Sequence, residues 1–370
     1  MTELLKNVYS ESFFEMLSKQ IKAEILEFNE KQFTNEIFFE EWERLELKQR
    51  MTHIAKVLRT HLNQDYSIAV NQICSIIDRH KREHSNGFNF EFMLFPEFVQ
   101  LFGLEDFENS IAAIERITQF TSCEFVVRHF IVKYPQEMIL QMQNWANHRH
   151  HYVRRLSSEG MRTRLPWAIG VKELKDNPQH ILPILEKLIL DESDWVRKSV
   201  SNSLNDLSKD YPEMVISFIK KWKDHSEKID KALKHGSRTL LKQGNFEILA
   251  VFGVNSLAKI ELTNFKLRTE KISFGESINF HFELKNLDDT DIYTRIEYNV
   301  YFLRKNGFYK SKVFKISEKN LAKNAKISIE KAHSFKEIST RKYYEGKQKI
   351  ALIINGVERQ VFDFFLLKKK

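Results

Sequence analysis

DWVRKSVSNSLNDL, Asp194–Leu207, reads as a helix whose start carries an apolar residue followed by arginine, Val196-Arg197. The same pair stands near other helix starts at Val127-Arg128 and Val153-Arg154, with Ser237-Arg238 as a looser fourth. Between successive arginines the intervals are 26, 43 and 41 residues. The last two approach the two-helix period of a HEAT-like solenoid. In such a stack each pair buries its face on the next, and the second helices line one concave surface. The recurring arginines then either form a row along that surface or close helix-to-helix contacts.

Working outward, the helical pattern extends to about Asn245. Apolar residues recur at helical spacing in Ser10–Glu27, Leu45–Leu62, Tyr66–His80, Glu108–Phe120, Cys123–Lys133 and Gln136–Asn147. They continue in His151–Ser158, Leu165–Leu174, Gln179–Leu190, Pro212–Asp224 and Ile229–Lys242. The connections are short, which favours antiparallel helix pairs. Gly and Pro are scarce, at 11 and 6 of 370 residues, which suits this architecture and disfavours an enzyme built on glycine loops. Neither a G-x-G-x-x-G nor a P-loop occurs.

From about Leu257 the period falls to two. IELTNFKLR, SINFHFELKN, RIEYNVYFLRK, YKSKVFKIS, AKISIEKAHSF, QKIALIIN and RQVFDFFLL alternate apolar and polar residues. Leu287-Asp288-Asp289, Asn306-Gly307 and Asn355-Gly356 mark turns between them. Seven such strands predict an immunoglobulin-like β-sandwich without an inter-sheet disulfide. The expected organisation is a HEAT-like α-helical solenoid over 1–250 and a β-sandwich over 257–370.

The net charge of +8 is unevenly spread. Ser256–Lys370 holds 24 Lys and Arg against 14 Asp and Glu, a net of +10, so the preceding 255 residues are net −2. A nucleic-acid partner suits the whole chain, yet the helical part must gather its cations locally. It does so in His148–Arg164, where Arg149, Arg154, Arg155, Arg162 and Arg164 stand with His148, His150 and His151 against one acid, Glu159. The histidines lack the i, i+4 pairing with supporting acids that a zinc site uses, so no metal is expected. Cys74 and Cys123 have no C-x-x-C partner and read as buried thiols in a reducing cytoplasm. Met1–Asn7 is polar and no apolar run reaches membrane length, so neither a signal peptide nor a membrane span is read. Lys368–Lys370 reads as a solvated tail.

Three segments carry a resemblance: Leu45–Leu62 (LELKQRMTHIAKVLRTHL), Phe120–Ile131 (FTSCEFVVRHFI) and Tyr152–Ala168 (YVRRLSSEGMRTRLPWA). Together they resemble the AlkC family of alkylation-repair DNA glycosylases. The third is the most specific: every fixed position of the family's RRL-x-SEG-x-R-x-RLPWA pattern is met. Asp194–Lys209 also fits, and the resemblance covers roughly the first 245 residues. Members have HEAT-like repeats, and some carry a C-terminal immunoglobulin-like domain. The resemblance implies removal of 3-methyladenine and 3-methylcytosine from duplex DNA, without the full base extrusion used by most glycosylases.

Methylation at N3 makes the base cationic and a good leaving group, and positive charge builds on the sugar as the glycosidic bond breaks. A fixed carboxylate stabilises that charge, and an indole face attracts a cation. By resemblance the acids are Glu124, Glu159 and Asp206. Glu124 and Asp206 are assigned to stabilising the sugar or positioning water, and Glu159 to organising the cleft through neighbouring arginines. Trp167 is the aromatic partner. DNA contacts are expected from His151, Arg154, Arg155, Arg162, Arg164, Trp195, Arg197, Lys198, Arg238 and Lys242. Trp42, Trp145 and Trp222 are expected to pack in the core. No cofactor is needed, and a cytoplasmic monomer is expected. A HEAT-like protein that binds DNA structure without excision, or a protein-binding HEAT scaffold, are the alternatives.

Overall fold

The computed structural model describes residues 4–84, 88–339 and 341–368, so Lys369 and Lys370 of the basic tail and the first three residues of the polar start lie outside the described residues. The chain forms two compact units, Met1–Leu207 and Ser208–Lys370.

The first unit is helical. Asp194–Leu207 buries Val196, Val200, Leu204 and Leu207, a spacing that keeps one face inward. Val126–Lys133 passes through Tyr134 into Pro135–Trp145, and the two helices pack together. Proline is tolerated at that first helical position because the N–H it lacks has no partner within the helix. His151–Glu159 is the hub of this unit, packing on Pro135–Trp145, Leu182–Leu188 and Asp194–Leu207. Its first turn is capped by His150, whose Nδ1 accepts the Tyr152 N–H at 3.3 Å.

The repeat arginines of this unit bind protein groups. Arg128 is buried and donates to the carbonyls of Gly160, Arg162 and Ile169 at 3.0, 2.7 and 2.8 Å. Arg154 grips both carboxylate oxygens of Asp191, at 2.6 and 3.0 Å, and donates to the carbonyls of His148 and Arg149. Arg197 is buried and bonds the Asp191 carbonyl and the Asp194 carboxylate. Each guanidinium thus ties one helix to the chain around a neighbouring turn.

Three differences from the sequence reading have local causes. Leu165–Leu174 is not one helix: a turn occupies 165–168 and only Lys172–Asp176 is helical. Ile229–Lys242 is two helices, Glu227–Gly236 and Arg238–Lys242, broken at Ser237, whose Oγ donates back to the Leu233 carbonyl at 2.7 Å. Leu94–Phe102 is a helix that periodicity missed, because LFPEFVQLF is apolar nearly all round and shows no polar face to time against.

The second unit begins with four helices, Pro212–Trp222, Glu227–Gly236, Arg238–Lys242 and Phe246–Val251. Eight strands follow: β1 Ile260–Leu267, β2 Lys271–Ser273, β3 Ser277–Asn286, β4 Ile292–Leu303, β5 Tyr309–Leu321, β6 Lys326–Ser334, β7 Gly346–Ile354 and β8 Val357–Leu367. They form a β1-β3-β6 sheet and a β2-β8-β7-β4-β5 sheet. All pairs are antiparallel except β2 with β8. β2 is the strand absent from the sequence reading, since three residues are too short to show alternation. The core between the sheets is rich in phenylalanine, including Phe265, Phe280, Phe282, Phe335 and Phe364. The β7–β8 hairpin closes through Asn355-Gly356 with φ of 50° and 80°, the doubly positive backbone of a type I′ turn. A Cβ at Gly356 would stand 2.4 Å from Leu249 Cδ1, so the hairpin tip also packs on the Phe246–Val251 helix.

Candidate functional site

Glu124 sits immediately before the Val126–Lys133 helix, in a turn where Ser122 Oγ donates to its carboxylate at 2.8 Å. Arg155, from the middle of the His151–Glu159 helix, approaches the same Glu124 oxygen with both terminal nitrogens at 3.2 Å. Arg155 also lies 3.8 Å from Glu159 and places its guanidinium 4.8 Å from the centre of the Trp195 ring. Glu159 bonds Arg162 at 2.6 Å, and Arg162 in turn reaches Asp206 through Nε and Nη2, both at 2.8 Å.

The result is an alternating chain, Glu124–Arg155–Glu159–Arg162–Asp206, drawn from three helices and their flanks. Three carboxylates alternate with two guanidiniums, and the Arg128 guanidinium lies in the field of Arg162 and Asp206 beside them. Burial grades along it. Glu124 lies on a cleft wall, whereas Glu159 and Asp206 are only 4% and 3% exposed. Burial by itself would lower the Arg162 pKa, but Glu159 and then Asp206 outweigh it and raise the value. Arg128, whose side chain holds the Arg162 carbonyl, is pushed down to about 10 by burial and by the Arg162 charge. It remains charged at neutral pH. One oxygen, Glu159 Oε2, is buried without a hydrogen-bond partner among the described residues.

The cleft has a volume of about 190 Å³ and is lined mainly by apolar and aromatic groups, with Glu124 and Arg155 on its polar side. Trp167 and Trp195 line it and are 63% and 47% exposed. Trp167 has φ of 64°, a region that bulky residues rarely enter. Lys48 and Phe125 complete this end of the cleft. Sequence reasoning did not single out Lys48, Met51, Phe88, Phe90, Met93 or Phe125. The available signal was that Leu45–Leu62 and Phe120–Ile131 belong to the same pattern as Tyr152–Ala168, and the fold brings all three together.

The remaining expected residues are dispersed. Arg164 and Lys198 are exposed, and His151 is half-buried, stacked on His150 with ring centres 5.0 Å apart. Arg154 and Arg197 are engaged as described above. Arg238 and Lys242 belong to the second unit, where Arg238 donates to the His235 carbonyl at 2.8 Å. Trp42 and Trp145 are buried, Trp145 donating to Glu115 at 2.7 Å, and the Trp222 indole nitrogen is buried without a partner among the described residues. Cys74 and Cys123 are buried free thiols, and burial raises both pKa values, that of Cys74 to about 11.

The second unit carries its own polar cleft, about 790 Å³, between the β4–β5 turn and the chain near Arg341. Arg304, Lys305, Lys310, Lys312, Arg341 and Lys342 line it, with no acid among its lining residues. The Lys312 pKa is lowered by burial first, then by Arg341, Lys242 and Lys310, which places Lys242 in this same field.

Among the described residues, no helix is long and apolar enough to cross a membrane. Residues 49–240 match the family model described as DNA alkylation repair enzyme, and residues 261–368 match that of the YhaZ C-terminal Ig-like domain. The chain is 38% identical over 360 residues to the uncharacterized protein YhaZ of Bacillus subtilis, covering 97% of this chain and 98% of that one. The solved structure of Pseudomonas fluorescens alkylpurine DNA glycosylase AlkC, bound to DNA containing an abasic site analog, superposes with a TM-score of 0.92 at 29% identity, covering 98% of this chain and 99% of that one. With the family model and a full-length relative both matching, this chain belongs to the DNA alkylation repair enzymes.

Proposed function

We propose that the protein is a DNA glycosylase of base excision repair that hydrolyses the N-glycosidic bond of cationic bases, 3-methyladenine and 3-methylcytosine, in duplex DNA. The observation that carries this reading is the meeting of Glu124, Trp167 and Trp195 on one small cleft, backed by an alternating ion-pair chain. Glu124 stabilises the sugar as it becomes an oxocarbenium-like cation. Its carboxylate is oriented beforehand by Ser122 and Arg155, so little reorganisation accompanies the reaction. The indoles of Trp167 and Trp195 attract the cationic base or sugar. Glu159 and Asp206 fix Arg155 and Arg162 from behind, and Asp206 also helps to position the water. The AlkC complex with an abasic-site analog supports a DNA-bound reaction.

Phosphate contacts fall to Arg164, Lys198, His151 and Arg155 in the first unit, and to Arg238 and Lys242 beside the basic cleft in the second. Arg154, Arg162 and Arg197 serve these contacts by fixing the helices that present them. The chain works as a cytoplasmic monomer and needs no cofactor for this reaction.

The test is base release from duplexes carrying a single N3-methylated adenine or cytosine. Wild type is expected to release the base, and Glu124→Gln to lower the single-turnover rate by about 100-fold or more. No release by wild type from either duplex would overturn the enzyme reading in favour of a DNA-binding or protein-binding scaffold. Unchanged release by Glu124→Gln would remove Glu124 from its role.

A further inference from the structure

Trp167 occupies the third position of a turn, Leu165-Pro166-Trp167-Ala168, closed by the Ala168 N–H donating to the Leu165 carbonyl at 3.4 Å. Proline second and a positive φ third form the pattern of a type II β-turn, whose third position favours glycine. A tryptophan there is strained. The exposed indole recovers little of that strain by burial. Something outside the turn must therefore hold it.

Lys48, from the first turn of the Leu47–His61 helix, donates its ammonium to the Trp167 carbonyl and lies 4.7 Å from the centre of the Phe125 ring. Two residues further on, Arg128 Nε holds the Ile169 carbonyl at 2.8 Å. The turn is thus pinned from two sides. Among the described residues Lys48 makes no ion pair, and its ammonium rests on a carbonyl dipole and an aromatic face.

We propose that Lys48 is a positioning residue that clamps the strained turn and keeps the Trp167 indole on the cleft beside Glu124. The proposal rests on the excision reading for its kinetic consequence but not for its structural one. A charge-assisted hydrogen bond to the peptide carbonyl at the strained residue is the strongest single contact available to hold that conformation. Methionine at 48 would keep the apolar stem and remove the donor.

The test uses full-length protein labelled with 5-fluorotryptophan, the Trp167 resonance being assigned by its loss in Trp167→Phe. Lys48→Met is expected to broaden or split that resonance, and Lys48→Arg to restore it. On methylated duplex, Lys48→Met is expected to lower the single-turnover rate on the order of tenfold with little change in DNA Kd. In a Trp167→Ala background the same change should cost nothing further. An unaltered Trp167 resonance in Lys48→Met, additive losses in the double variant, or a weakened Kd with a lower salt slope would each overturn the proposal. The last would mark Lys48 as a phosphate contact instead. If wild type released no base, the excision reading would fail, while the fluorine spectra would still decide the Lys48 assignment.

Discussion

Trp167 shows how one residue can oppose its local backbone preference and still be held on a cleft. At φ of 64° it opposes the preference of its own turn, and its indole lines the cleft with Glu124. Such outliers gather at sites where the surrounding structure over-determines the backbone. Trp167→Gly should relieve the strain and raise stability by up to about 1 kcal/mol, while base release falls by at least tenfold. Urea denaturation paired with single-turnover kinetics measures both. A stability loss instead would mean that the indole packs more than its exposure indicates. The resemblance carried by Phe120–Ile131, Tyr152–Ala168 and Asp194–Lys209 pointed to Glu124, Glu159, Asp206 and Trp167 as a group. Which carboxylate faces the cleft was not legible in the sequence. That depends on Arg155 turning outward to Glu124 and Arg162 inward to Asp206 from within a single segment.

The element that most changes the sequence reading is the β4–β5 ribbon with its turn. Its basic residues looked like a general excess spread over the whole sandwich. In the structure Lys310 and Lys312 stand two positions apart on β5, so they share a face, and Arg304, Lys305, Arg341 and Lys342 join them around one cleft. Crowding of cations without an acid favours an anionic ligand such as the DNA backbone. Replacing Lys310, Lys312 and Arg341 with serine is expected to reduce the slope of log K against log salt by up to about 3, roughly 0.9 for each lost phosphate contact. Binding isotherms of full-length protein on undamaged duplex across a salt series measure it. An unchanged slope would free this ribbon from any role in DNA binding. Removing the sandwich wholesale would be a poorer test, because Lys234 of the Glu227–Gly236 helix is bonded to Glu318 of β5 at 2.8 Å. Deletion would strip a packed face from the helices of the same unit.

At the scale of whole units, acid sensitivity of the second unit should centre on His333 and Glu318. His333 is buried among Tyr298, Phe302, Phe314 and Phe335, and its pKa is pushed down to about 4 by burial, then by Arg341, Lys312 and Lys331. For Glu318, burial alone would raise the pKa, but Lys234, Lys315 and Arg295 bring it down to about 2. Both groups therefore bind protons more readily in the unfolded chain. Their stabilisation is complete above the ordinary histidine value and is lost as pH falls, His333 acting between about 6.5 and 4 and Glu318 between about 4.5 and 2. The full His333 contribution is up to about 3 kcal/mol. His333→Phe should flatten the fall in stability between pH 6.5 and 4, as followed by thermal unfolding. An NMR titration placing His333 near pH 6.5 would contradict the expectation.

The sequence by itself determined the two architectures and their order, because periods of 3.6 and 2 are written locally in residues such as Val196, Val200 and Leu204 or the alternating run of β3. It also pointed to the three carboxylates and Trp167 of the candidate site, through one dense segment and two supporting ones, but not to the rest of the cleft lining. Only the tertiary structure decided what each charge does. Arg128, Arg154 and Arg197 share a repeat position yet hold protein carbonyls and carboxylates, whereas Arg155, one residue from Arg154, reaches the cleft. On a helix one residue is a turn of about 100°, enough to separate a packing contact from one that lines the cleft. Which face is covered depends on the neighbouring helix, and that is long-range information no local pattern contains.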